Sequence, residues 1–273
     1  MGILYLVATP IGNLEDLSPR AVRVLRESVL IAAEDTRHTG SLLKHFGIKT
    51  PLTSYFEHNK LTKQETILGK LAEGDVALVS DAGTPAINDP GYELVRAALV
   101  AGFDVRPVPG PSAPISALTV SGLPTDAFLY LGYLPHKSGE RRKDLAQVAD
   151  LRYTLIFLET PHRLLDSLAD LLSVFGDRRI SVSRELTKLY EETWRGRISG
   201  AIEYFTAKEP RGEFTLVIEG RQTVDGGRWT EEQLLTAIQA ELQSGKSASQ
   251  LAGELADQSG WKKKEVYNLI LQQ

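Results

Sequence analysis

One pattern constrains this chain more than any other. A short apolar run, a loop of glycine and proline, and then a capped helix recur through the first 120 residues. ILYLVA (3–8) runs into TPIGN, after which Ser18 stands as N-cap and Pro19 at the first helical position of PRAVRVLRE. VLIAAE (29–34) runs into DTRHTG and a helix around SLLKHF, closed by Gly47. VALVS (76–80) runs into DAGTPAINDPG, whose Asp89 and Pro90 open the helix GYELVRAALVA, closed by Gly102. FDVRPVP (103–109) runs into GPSA and the helical ISALTV. Strands that are apolar almost throughout, alternating with helices, imply a mostly parallel sheet covered on both faces. In such open sheets a ligand occupies the crevice beyond the carboxyl ends of the strands. The loops TPIGN, DAGTP and GPSA all fall at that edge, so they should converge on one pocket.

A second series begins after SGLPTDA: FLYLGYL, the basic KSGERRKDL, YTLIFLE followed by TPHRLLDSLADLL, RRISVSREL, and GEFTLVIEG. Its periodicity does not separate parallel from antiparallel pairing. The expected organisation is an α/β domain over residues 1–120, a second α/β domain over 121–224, and a helical tail over 225–273. In the tail, Thr230 with Gln233 and Ser247 with Gln250 read as two capping boxes, with Gly245 and Gly260 as helix ends. A third helix carries Val266, Leu269 and Ile270 on one face and begins at Lys262, Lys263 and Lys264. Helices joined by a short glycine turn resemble a helix-turn-helix, although a three-helix dimerisation lid would look the same.

Composition excludes several kinds of chemistry. There is no cysteine, so disulfides, thiolate metal sites and cysteine nucleophiles are ruled out together, and a reducing cytoplasm is the natural home. The five histidines show no metal-ligand spacing, so no metal site is expected. No stretch approaches the ~20 apolar residues of a membrane span, and MGILYLVATPIGN reads as a core strand and not as a signal peptide. A net charge of −4 argues against wholesale coating of nucleic acid but leaves room for local basic patches. The glycine loops fit neither the phosphate-loop nor the dinucleotide-turn motif. With Asp81 as their one formal charge, they suit a zwitterionic guest better than a triphosphate, which needs lysine or arginine.

The segments LVATPIGNLEDLSPRAVRVL, AAEDTRHTGSLLKHFGI, SYFEHNK, SDAGTPAINDPG and PVPGPSAPISAL stand in that order. Together with SREL-TK, GEFTLVIEG and the helical tail, they resemble the tetrapyrrole methylase superfamily over essentially the whole chain. Within it the similarity is to the cytidine 2′-O-methyltransferases of small-subunit ribosomal RNA. The resemblance implies a homodimer that binds S-adenosylmethionine in a cleft between two α/β domains and methylates RNA in naked form or in the assembled subunit. Carried over by motif, it points to Pro10, to Ala82, Gly83, Thr84 and Ile87, to Ser112 and Ala113, and in the second domain to Leu158, Leu186 and Thr215 as cofactor-binding positions. Asp81 would attract the sulfonium or cap its turn.

The implied reaction is in-line displacement at a methyl carbon by a ribose 2′-oxygen. A ribose hydroxyl is a poor acid, so a base should assist, typically by 10² to 10⁴ in rate. Three polar clusters offer candidates: Glu34, Asp35 and Arg37; Glu57, His58 and Asn59; Arg184, Glu185 and Lys188. Glu57 or His58 is favoured as the base, because a carboxylate beside an imidazole permits a proton relay; loop-fixing hydrogen bonds are the competing use of these residues. Arg37, Arg184 and Lys188 are expected to hold RNA phosphate, as are Arg141, Arg142 and Lys143 in KSGERRK and Lys262, Lys263 and Lys264. Tyr55, Phe56 and Tyr133 could stack on a base, although packing in the core is the commoner use of such residues. Two rival readings share the fold: a methylase of porphyrin or corrin precursors, and a non-enzymatic RNA-binding regulator that senses the cofactor.

Overall fold

A computed structural model describes residues 2–56, 60–89, 91–222, 229–242 and 246–272. The first series folds as β1 (Ile3–Val7), α1 (Pro19–Glu27), β2 (Leu30–Ala33), α2 (Thr36–His45), β3 (Leu52–Ser54), α3 (Lys60–Glu73), β4 (Val76–Val79), α4 (Gly91–Val100), β5 (Asp104–Val108) and α5 (Ala113–Ser121). The five strands pair in the order β3-β2-β4-β1-β5, and every pairing is parallel. Alternate side chains enter two separate cores. Ile31, Ala33, Ala77 and Val79 pack with Val24, Leu25, Leu42 and Leu43 of α1 and α2, whereas Leu30, Ala32, Val76 and Leu78 pack with Ile67, Leu71 and Leu94 of α3 and α4. This burial on both faces explains why the strands read as continuous apolar runs instead of alternating ones.

The expected punctuation holds. Ser18 Oγ accepts from Ala21 N at 3.1 Å with Pro19 opening α1, and Gly47 and Gly102 take φ of +63° and +82° where α2 and α4 end. Two local differences appear. Helix α2 starts at Thr36, earlier than SLLKHF, because Asp35 caps it by accepting from Arg37 N at 2.8 Å. Residues 52–73, in which the sequence signals no element, supply β3 and α3.

The second series contains β6 (Phe128–Tyr133), α6 (Ser138–Val148), β7 (Thr154–Glu159), α7 (Leu164–Phe175), β8 (Arg179–Arg184), β9 (Glu192–Arg197), α8 (Ile198–Ala207) and β10 (Phe214–Ile218). Its sheet, in the order β6-β7-β10-β8-β9, is mixed: β6 and β7 are parallel, and the other three pairings are antiparallel. One face carries the largest core, with Leu155, Phe157, Leu216 and Ile218 against α7 and α8. The other face is covered by α5, whose Ala117 and Leu118 meet Ile156, Leu186 and Val217. By packing, then, α5 belongs with the second sheet, so the chain crosses between sheets at PGPSA, ahead of the expected boundary. Apolar periodicity shows that a helix buries a face but not which sheet receives it.

The tail forms α9 (Glu231–Glu241), α10 (Ala248–Ser259) and α11 (Lys263–Ile270) around a core of its own, including Leu234, Ile238, Leu251, Leu255, Val266 and Ile270. Both capping boxes form, and Gly260 ends α10 in the left-handed conformation. Gly245 lies outside the described residues. No helix among the described residues is long and apolar enough to cross a membrane.

Candidate active site

The carboxyl ends of β1, β2, β4 and β5 face the second sheet across a cavity of about 380 Å³. From the first domain it is lined by Ile11, Glu34, the run from Ser80 to Thr84, Ile87, Asn88, Asp89, Ser112, Ala113 and Pro114. The opposite wall consists of Tyr130 and Tyr133 of β6, Leu158 of β7, Ser183, Glu185, Leu186 and Lys188 at and beyond the end of β8, and Glu213, just before β10, with Phe214 and Thr215 of that strand. The three glycine loops therefore converge as their place on the sheet requires. Asp81, Ala82, Gly83, Thr84, Ile87, Ser112, Ala113, Leu158, Leu186 and Thr215 all come together here; Pro10 is buried beside the cavity, and its neighbour Ile11 reaches the lining.

Hydrogen bonds of ordinary length fix the loops to one another. Thr9 and Gly83 exchange backbone bonds of 2.9 and 3.0 Å, with Gly83 at a φ of +81°. Thr84 Oγ1 donates to Pro111 O at 3.2 Å, tying DAGTP to PGPSA. Asp89 Oδ1 accepts from Ala86 N at 2.7 Å and Gly91 N at 2.9 Å, serving the turn and α4 together. Its Oδ2 is buried with no hydrogen-bond partner among the described residues. Backbone strain is concentrated around the cavity. The positive-φ residues other than glycine, among those described, are Ala86 and Asn88 on one wall and Glu185 and Thr187 on the other. Holding them so costs of order 1–3 kcal/mol each, which the surrounding packing must offset, and such strain gathers at ligand sites. The walls also meet through glycines: a Cβ on Gly12 would collide with Lys188, and one on Gly132 with Asn88.

The lining is acidic. Glu34 Oε2 accepts a long bond, 3.3 Å, from Asp81 N, and Asp81 Oδ1 accepts from Asp35 N at 3.0 Å. Burial, reinforced by the nearby Asp81, Asp89 and Asp35 carboxylates, holds Glu34 above the ordinary glutamate range despite the bond from Asp81 N; burial likewise raises Asp89. Lys188 is the one cation in the lining among the described residues, and it pairs with Glu185 at 2.9 Å. Burial raises both phenols of β6, Tyr130 to about 12.

Other expected site residues lie elsewhere. Glu57 and His58 fall outside the described residues. Tyr55 is buried in the core beneath β2, so it offers no stacking surface; Phe56 is exposed, and Tyr133 is half exposed in the cavity wall. Arg141 is not a phosphate ligand: its side chain is 3% exposed and bonds Asp170 at 2.6 Å beneath α6. Arg184 is largely withdrawn as well, its Nε on Glu192 at 2.5 Å. Along the sequence both look like surface cations, because a buried acid on another element does not show there. Arg37, 90% exposed, pairs with Asp35, Arg142 reaches out while bonded to Asp170, and Lys143, Lys262, Lys263 and Lys264 are exposed. Sequence reasoning passed over Tyr130, Asn88, Asp89 and Glu213 as lining residues; only the position of Asn88 and Asp89 within the DAGTPAINDPG loop could have signalled any of them.

Comparison with known proteins agrees with this geometry. The chain is 48% identical to the ribosomal RNA small subunit methyltransferase I of Synechocystis sp., over 100% of this chain and 98% of that protein. It is 47% identical to the protein of the same name from Escherichia coli O157:H7, over 100% and 96%. The protein of that name from Thermotoga maritima, 48% identical, is matched over its entire length by 81% of this chain. Among solved structures, the methyltransferase CobJ superposes with a TM-score of 0.60 over 84% of this chain and 98% of that one at 19% identity, which speaks to the fold. The native form of uroporphyrin III C-methyltransferase from Thermus thermophilus superposes with a TM-score of 0.56 over 80% and 97% at 21% identity. The sequence profile of the Tetrapyrrole (Corrin/Porphyrin) Methylases matches residues 3–201, the span that holds the whole first sheet and every strand of the second except β10. A cleft assembled from those segments, with full-length relatives that are methyltransferases, makes this chain a methyltransferase belonging to the tetrapyrrole methylase family.

Proposed function

We propose that this chain transfers a methyl group from S-adenosylmethionine to the ribose 2′-oxygen of a cytidine in small-subunit ribosomal RNA, acting in the cytoplasm as a homodimer. The observation that carries the reading is the cavity itself: small side chains and backbone groups from three strand-end loops, bordered by carboxylates with a single lysine. That lining fits the donor. Ala82, Gly83, Ser112 and Ala113 leave room for an adenosine, and the acidic wall favours a sulfonium over its neutral product. When bound, S-adenosylmethionine supplies an electrophilic methyl carbon on a good leaving group. The protein's part is chiefly alignment, which in well-oriented systems contributes about 7–11 kcal/mol.

The relatives' name supports a ribosomal RNA substrate. Lys262, Lys263 and Lys264 at the start of α11 support an RNA-holding tail, since lysines there oppose the helix dipole and bring α11 no stability. The edge strand β6 exposes Phe128 and Leu131, which supports pairing with a second copy.

The test is to incubate the protein with labelled S-adenosylmethionine and small subunits lacking the modification, then map alkali-resistant linkages. One 2′-O-methylcytidine is expected; label on a tetrapyrrole instead, or none on ribose, overturns the reading. In the same preparation, Gly83→Arg should abolish donor binding by calorimetry, because Gly83 sits in the lining at positive φ.

A further inference from the structure

We infer that Glu34 is the catalytic base, the group that takes the proton from the ribose hydroxyl; this rests on the function proposed above. The other acids and phenols of the lining are committed elsewhere. Asp89 cannot serve: Oδ1 holds two backbone N–H groups, and Oδ2 is sealed from the cavity space. Asp81 braces the start of α2 through Asp35 N. Glu185 is engaged by Lys188 at 2.9 Å and by Glu213 N at 3.4 Å. The phenols of Tyr130 and Tyr133 are raised and stay protonated at neutral pH. Glu213 is exposed on the far wall.

Glu34 differs from all of these. It stands at the carboxyl end of β2, half-buried in the lining, and among the described residues its one hydrogen bond is the long one from Asp81 N. A carboxylate so placed has a lone pair to offer to the cavity while being partly withdrawn from water. Asp81 and Asp89 from the loop after β4, and Asp35 with its partner Arg37 from α2, surround it on its own side; Glu185, Lys188 and Glu213, with the two phenols, face it across the cavity. Burial first, and then the neighbouring Asp81, Asp89 and Asp35 carboxylates, raise its basicity, in the direction that favours general-base catalysis. As the ribose oxygen bonds to the methyl carbon and the electron pair of the broken S–C bond returns to sulfur, the hydroxyl proton passes to a carboxylate oxygen of Glu34. The carboxyl is left neutral among its acidic neighbours.

The experiment uses the full-length chain and compares wild type with Glu34→Gln, whose amide oxygen can keep the bond from Asp81 N. Carboxyl carbon NMR of the protein without donor should show one glutamate, missing from E34Q, that titrates above the ordinary value of 4.5. With donor and small subunits, E34Q should lower kcat by about 10²- to 10⁴-fold, with KM for RNA held, and should lose the rise of kcat with pH on the acid side. Glu34→Asp should keep that rise at an intermediate rate. The assignment falls if E34Q retains kcat and its acid limb, or if Glu57→Gln, His58→Ala or Glu213→Gln removes that limb while E34Q does not. Ribose methylation undiminished in both wild type and E34Q sinks the base alone; no ribose methylation by wild type sinks the function as well.

Discussion

The two α/β domains treat buried charge in opposite ways. In the second, each buried or half-buried acid of the framework faces a cation: Asp170 with Arg141 at 2.6 Å, Glu159 with Arg163 at 3.2 Å, and Glu192 with Arg184 at 2.5 Å. In the first, Glu34 and Asp89 accept from backbone N–H groups, with no ion pair among the described residues. The titration of these groups differs in the same sense. For Asp170, burial alone would raise the carboxyl, but bonds from Arg142, Ser138 and Arg141 outweigh it and leave the carboxyl low. For Glu192, burial is likewise outweighed by Tyr204, Lys208 and Arg184, and the carboxyl falls to about 2. Glu34 and Asp89, desolvated without such partners, are raised. Paired charge locks α6 to α7 and β8 to β9, whereas unpaired charge borders the cavity. A carboxylate kept without its cation costs stability; Asp89 offsets that by holding its turn and the start of α4, whereas Glu34, with one long bond, has no such structural return.

The contrast can be broken first at Asp170. Asp170→Asn leaves Arg141 buried beside a neutral amide and should cost about 3–5 kcal/mol in urea unfolding. A loss no greater than that of a surface substitution would mean that the pair is not structural. Acid offers the next test. A carboxyl depressed in the folded state stabilises above its unfolded value and loses that contribution as pH falls through the folded one. Melting temperature should therefore drop between the ordinary glutamate value of 4.5 and about 2, and Glu192→Gln should flatten that drop. The smallest effect has the opposite sign. Glu34 is raised on folding, so it destabilises progressively as pH rises above its unfolded value; E34Q should melt slightly higher than wild type at neutral pH even as it loses activity. A lower melting temperature would assign Glu34 to the framework.

Much of this was legible in the residues. The parallel sheet followed from apolar runs separated by capped helices, and the convergence of TPIGN, DAGTP and PGPSA followed from their place at the carboxyl edge. The capping boxes of the tail formed as read, because a cap involves residues three apart. The mixed order of the second sheet was not readable, since β10 inserts between β7 and β8 by pairings that local periodicity does not encode. Nor was the placement of α5, whereas Tyr55 sits in the core, the use its residue type favours.

The sequence by itself determined the strands, the small-residue loops, the helix ends and the absence of thiol chemistry, because each depends on neighbours a few positions away or on composition alone. Only the tertiary structure decided which charges are answered. Arg141 meets an aspartate 29 residues onward, while Asp81 braces Asp35 across 46 and leaves Glu34 at the cavity wall. Electrostatic energy depends on distance through space and on exclusion of water, and neither is written along the chain.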